Sequence, residues 1–77
     1  MALRFIGIDP STDQGNCPAV WLDDEKKEVV FQGWKPDEET EAVCAADSPL
    51  PDAEGIVRLP YRMLELIRKA CDEAMGS

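Results

Sequence analysis

The chain contains no histidine and few cations: eight Lys and Arg stand against sixteen Asp and Glu, a net charge of −8 over 77 residues. Without imidazole it lacks the usual general base, the Ser–His or Cys–His catalytic pair, and ordinary zinc or copper ligation. The acidic excess argues against direct nucleic-acid binding, because phosphates require clustered Lys and Arg. No apolar run approaches the roughly 20 residues of a membrane span, and no signal-peptide pattern opens the chain. We therefore expect a cytoplasmic protein.

Cysteine is also scarce, and the three residues, Cys17, Cys44 and Cys71, are an odd number without a C-x-x-C pair. A disulfide framework and a thiolate metal site are therefore not expected. We predict free thiols that pack as small hydrophobic groups, with no metal and no cofactor. The length allows one small domain, residues 1–77, with a marginal core. Its size favours a homodimer or a complex with another protein.

Three apolar segments in the first half predict an antiparallel sheet. Leu3–Ile8 has the composition of a strand and runs into a cluster of turn-forming residues. Pro18–Leu22 and Glu28–Trp34 flank a charged connection and predict a β-hairpin. The alternation in the last segment places Val29 and Val30 on opposite faces.

The composition changes at Pro36, where an acidic crossover begins. Residues 36–54 contain seven acids and no base. Acids after a proline favour a helix N-terminus, so the first half predicts a short helix with Pro36 at an early position. Pro49 and Pro51 make the second half irregular because proline removes a backbone donor and restricts φ.

The last part predicts a strand over Gly55–Leu59 and an amphipathic helix over Pro60–Met75. Substituting aspartate for Leu64 or Ile67 should unfold the domain. Together these elements predict an α+β fold: an antiparallel sheet of three or four strands packed by one C-terminal amphipathic helix. Seven apolar residues recur at three- and four-residue steps and form the expected buried stripe: Met63, Leu64, Ile67, Ala70, Cys71, Ala74 and Met75.

The segment Arg4–Ser11 contains Gly-x-Asp-Pro at the end of a strand and resembles the opening of RNase-H-like nucleases of the Holliday-junction resolvase kind. In those enzymes this aspartate helps to hold a divalent metal. The likeness covers roughly the first 34 residues, and the rest of the chain is too short for the remainder of that fold. A turn in which Asp9 accepts backbone N–H groups is the alternative. A metal-dependent nuclease remnant centred on Asp9 is therefore the second functional hypothesis.

Two tryptophans and four acids are the candidate contacts to a partner protein. The tryptophans are either interface anchors or core residues. The acids either solvate the crossover or recognise a basic partner, whose approach they would accelerate. We assign all six to partner binding and none to catalysis: Trp21, Trp34, Asp37, Glu38, Glu39 and Glu41.

Three short motifs in order along the chain resemble small acidic actinobacterial proteins related to the BldB-type developmental regulators. The motifs are Ser11…Gly15-Asn16-Cys17-Pro18-x-Val20, Val30…Gln32-Gly33-Trp34, and Pro51-Asp52-x-Glu54…Val57-Arg58-Leu59-Pro60. Those proteins are encoded near helix-turn-helix repressors. The resemblance implies a non-enzymatic protein of transcription regulation, and it supplies no catalytic residue. The leading hypothesis is thus a small acidic interaction module that binds a basic protein, such as a helix-turn-helix DNA-binding regulator.

Overall fold

The computed structural model describes residues 3–11 and 17–76, and it has the α+β architecture that the sequence predicts. Part of the predicted turn after the first strand, residues 12–16, lies outside the described residues. Three strands, two α-helices and one 3₁₀ turn follow one another along the chain: β1 (Leu3–Ile8), β2 (Ala19–Asp23), β3 (Glu28–Gln32), α1 (Glu38–Asp47), the 3₁₀ turn (Tyr61–Met63) and α2 (Leu64–Ala74).

The sheet is antiparallel with β2 at its centre, in the order β1-β2-β3. The predicted hairpin is confirmed: β2 and β3 pair from Asp23 opposite Glu28 to Ala19 opposite Gln32. In the turn between them, the Asp23 carboxylate accepts the N–H groups of Glu25 and Lys26 at 3.1 and 3.0 Å. β1 pairs with β2 through a register shift after Phe5, a bulge that bends the edge strand.

The core lies between α2 and one face of the sheet, which we call the inner face. Ile6, Val20 and Leu22 supply the buried side chains of the sheet, and Met63 and Ala70 cover them from the helical side. Leu59, Leu66 and Ile67 are partly buried at the margin of this cluster. Few large side chains are fully enclosed, because one short helix covers only part of a three-stranded sheet.

The buried stripe of α2 differs from the predicted one. Leu64 is 54 % exposed and Met75 is 83 % exposed, and Cys71 is also exposed. Ala74 is exposed as well, so the prediction was wrong for these four residues. It also omitted Leu66, whose Cδ2 lies 2.5 Å from the position of a β-carbon added to Gly7. This close approach to a glycine in β1 turns the helix toward β1 and leaves the opposite flank of its apolar stripe in solvent.

The predicted fourth strand is reduced to one residue pair. Trp34 and Arg58 form an isolated antiparallel bridge with reciprocal N–H to O bonds of 2.9 Å. The carbonyl oxygen of Arg58 lies 2.7 Å from the position of a β-carbon on Gly33, so the segment crosses close to that glycine. Pro60 has no N–H, so it cannot continue a ladder. The helix of the crossover also begins later than predicted, because Pro36 precedes its capping residue, Asp37.

Candidate functional site

Asp9 is the most enclosed charged group of the described chain, with 2 % of its surface exposed. It follows β1, and its carboxylate forms an ion pair with the guanidinium of Arg62, which lies in the 3₁₀ turn. Arg62 Nε lies 2.8 and 2.9 Å from the two carboxylate oxygens, and Nη2 lies 2.7 Å from Oδ2. The N–H of Ser11 also donates to Oδ1 at 3.0 Å.

The contact with Arg62 lowers the pKa of Asp9, mainly through the side-chain hydrogen bond, and the Ser11 N–H acts in the same direction against the effect of burial. The same hydrogen bond raises the pKa of Arg62. Both groups are therefore charged at neutral pH. The pairing was missed from sequence because 53 residues separate the partners.

This geometry offers little to a metal-dependent nuclease. A divalent cation at Asp9 would have to displace a guanidinium that already occupies both carboxylate oxygens. Two-metal hydrolysis also needs several converging carboxylates. Within residues 3–11 and 17–76 there is no group of three or more His, Cys, Asp or Glu side chains that could hold a metal ion. The described contacts instead join the end of β1 to the start of the C-terminal helical segment.

The four candidate acids lie together at the start of α1. Asp37 is the N-cap residue, and its carboxylate accepts the N–H of Thr40 at 2.8 Å. Hydrogen bonds from Thr40 lower the pKa of Asp37. Glu38, Glu39 and Glu41 occupy the first turn, where the helix dipole stabilises negative charge, and all three are exposed.

α1 stands apart from the core. None of residues 38–47 is buried, and Val43 is 61 % exposed. Its last turn contains no basic residue that would offset the acids of the first turn. A hydrogen bond of 2.7 Å from Arg58 Nη1 to Thr40 Oγ1 ties the helix to the segment that bridges Trp34. The acids thus project from a helix that the domain does not cover.

The two tryptophans occupy different places. Trp21 lies in the middle of β2, on the sheet face opposite the core, and its ring packs at 54° on Phe5 with the centroids 5.9 Å apart. Trp34 follows β3 and is half-buried, and its buried Nε1 has no hydrogen-bond partner among residues 3–11 and 17–76. The six predicted contact residues therefore do not form one continuous site: the acids share α1, and each tryptophan stands elsewhere.

The face that carries Trp21 contains apolar residues that sequence reasoning did not assign to a surface. Strand register places Phe5 and Val30 directly beside Trp21, and Phe5 is 57 % exposed. In the sequence, the alternation of Leu3 and Phe5 with Arg4 and Ile6 was the signal that could have predicted this apolar face. We call this face of the sheet the outer face. Its residues form three rows across the strands: Leu3, Asp23 and Glu28; Phe5, Trp21 and Val30; and Ile8, Ala19 and Gln32.

Neither the helices nor comparisons with known proteins assign a function to this site. Among the described residues, no helix combines the length and apolar character needed to cross a membrane. Comparisons of the chain with protein families, with curated proteins and with solved structures find no match.

Proposed function

We propose that this chain is a non-enzymatic, cytoplasmic interaction module that binds a basic protein, and that a helix-turn-helix DNA-binding regulator is the class of partner. The observation that carries the proposal is α1, an acidic helix with no buried residue among positions 38–47. A ten-residue helix with so little tertiary packing is marginal in water. An exposed acidic helix that contributes no buried side chain to the core is better explained by recognition than by support of the fold.

The charge distribution supports the same partner. Residues 36–54 contribute seven acids and no base, whereas acids and bases nearly balance in the rest of the chain. A concentrated negative surface accelerates the encounter with a positively charged protein, and this effect weakens as salt screens it. The basic surface of a DNA-binding regulator has the complementary charge.

The test neutralises the four acids at the start of α1 in the variant D37N/E38Q/E39Q/E41Q. Asparagine at position 37 retains the helix cap. With the chain as bait in extract of its own host, we expect basic proteins to be captured at low salt and largely lost from the variant. Measured with the purified captured protein, the association rate should fall by roughly tenfold and lose most of its salt dependence.

The control variant E25Q/D52N/E54Q/E65Q removes the same number of exposed charges outside α1, two of them from the rest of the acidic crossover, and should retain most of the wild-type association rate. Both variants should melt within a few degrees of the wild type, because exposed charges each contribute less than about 1 kcal/mol. Equal loss of capture in both variants would show that net charge, and not α1, attracts the partner. Unchanged capture by the α1 variant would refute the proposal.

A further inference from the structure

We propose that the outer face of the sheet docks an amphipathic α-helix of the basic partner. The apolar side of that helix would lie on the row Phe5, Trp21 and Val30, with an Arg or Lys side chain at the Asp23–Glu28 end. This inference rests on the proposed function: the acidic helix α1 would attract the basic partner, and the outer face would be the second surface that binds it.

The outer face carries partly exposed apolar side chains on all three strands, although Ala19 at one end of it is buried. α2 packs on the inner face, where Val20 and Leu22 are buried, and none of residues 38–47 of α1 is buried at all. Leu3, Phe5 and Ile8 of β1 are 42, 57 and 48 % exposed. Large apolar side chains gathered on one sheet face are typical of an interaction surface.

The dimensions of the face fit one helix. Three strands spaced by about 4.8 Å span about 10 Å, which matches the diameter of an α-helix with its side chains. Strands of five or six residues are about 17–20 Å long, which corresponds to about three helical turns. A helix that crosses the strands or follows them therefore covers the middle row completely.

The charges select a basic helix over a second copy of this chain. Asp23 and Glu28 lie directly opposite each other on β2 and β3, an arrangement of like charges that destabilises a sheet. The nine outer-face residues of the described strands include no Lys or Arg. Lys27 of the turn lines the same surface depression as Asp23 and Glu28 and offsets part of their charge. A second copy would bring two further carboxylates with its own Lys27, whereas a basic helix would bring cations alone.

The surface area of the chain exceeds that of a compact monomer of the same mass. Its accessible surface is 6031 Å², and a compact monomer of 8.5 kDa exposes about 4,700 Å². Its radius of gyration is 13.8 Å, against about 11.5 Å for a compact domain of this length. The uncovered helix α1 and the outer face both contribute to this excess.

The experiment places a photo-crosslinking residue, p-benzoylphenylalanine, at position 5 of the full chain in its own host. Tyr61, an aromatic residue that is 87 % exposed on the 3₁₀ turn, is the control position. We expect an adduct from position 5 and not from position 61, with the crosslinked peptide in a partner helix that is apolar on one side and carries Arg or Lys.

Two variants test the contacts. Trp21→Ala should lower the adduct yield by at least about tenfold, as expected for an interface anchor. D23N/E28Q should lower it by roughly fivefold, while E54Q/E65Q, with the same charge change elsewhere, should not. Thermal melting is measured for each variant. If Trp21→Ala lowers the melting temperature, Val30→Ser tests the same row.

Several results would overturn the docking proposal. An adduct between two copies of this chain would assign the outer face to self-association, and the absence of any adduct would leave it without a partner. Crosslinking to a non-helical or acidic segment would reject the stated chemistry. If the α1 variant abolishes capture while all outer-face variants bind normally, the docking proposal fails and the proposed function stands. If both sets bind normally, both fail.

Discussion

At the scale of single residues, the Asp9–Arg62 pair is the interaction on which the described structure depends most clearly. A carboxylate with 2 % exposure is costly unless an opposite charge and hydrogen bonds compensate it. Arg62 supplies three short contacts and Ser11 supplies a fourth. Since one partner follows β1 and the other lies in the 3₁₀ turn before α2, the pair fixes the approach of the helix to the sheet.

The pair predicts a loss of stability in acid. The folded state lowers the pKa of Asp9, so its contribution is complete above about pH 5 and disappears as the pH falls through the usual aspartate value, about 4, toward the lowered folded value. Urea unfolding of the wild type and of Asp9→Asn between pH 7 and pH 3 measures this contribution. The midpoint of the variant should be lower at pH 7, and the difference should narrow as the pH falls from 5 toward 3. Parallel curves over the whole range would show that Asp9 does not titrate with folding.

At the scale of secondary-structure elements, α2 shows how packing selects part of an apolar stripe. Leu66 lies against Gly7, and Glu73 accepts a bond of 2.6 Å from Arg4, which also lies on β1. Both contacts draw the helix toward β1. Leu64 and Met75, on the other flank, remain exposed. The apolar stripe of α2 is wider than the surface that β1 and β2 present to it, so one side of the stripe stays in solvent.

Aspartate substitutions at two positions of α2 separate these flanks. Leu66→Asp puts a charge against the core and should lower the free energy of unfolding by more than about 2 kcal/mol. Leu64→Asp should change it by less than about 1 kcal/mol, because Leu64 is exposed and begins the helix, where a negative charge is favourable. Urea unfolding at pH 7 gives both values. Equal destabilisation by the two substitutions would show that Leu64 packs against the core, as the sequence predicts.

At the scale of the whole molecule, the protein combines a small core with an uncovered helix. The core unites β1, β2, the 3₁₀ turn and α2, while α1 has no buried residue and is joined to the neighbouring segment by the bond from Arg58 to Thr40. Stability is therefore distributed unevenly along the chain. Elements without buried apolar contacts open locally at little cost in free energy.

Amide hydrogen exchange should reveal this distribution. In the free protein, the amides of the central strand β2 should exchange most slowly, and those of α1 should exchange at rates near those of an unfolded peptide. Exchange measured by mass spectrometry or NMR at neutral pH tests this, with α2 as the internal comparison because it is a helix of similar length that packs on the core. Protection of α1 equal to that of α2 would show that α1 is supported by packing.

The sequence by itself determined the three strands of the sheet and the approximate positions of the two α-helices. Alternating apolar residues predicted the hairpin of β2 and β3, the apolar run predicted β1, and the acids after Pro36 predicted the helix α1, because these signals depend on neighbours along the chain. The partner, the cytoplasmic location and the BldB-like resemblance remain predictions.

Only the tertiary structure decided which surfaces are covered. It paired Asp9 with Arg62 across 53 residues, reduced the segment near Arg58 to a single bridge, and turned α2 so that Leu66, and not Leu64, meets the sheet. These outcomes depend on contacts between segments far apart in the chain, and periodicity carries no information about them. The same is true of the outer face, whose exposure depends on the side of the sheet to which α2 binds.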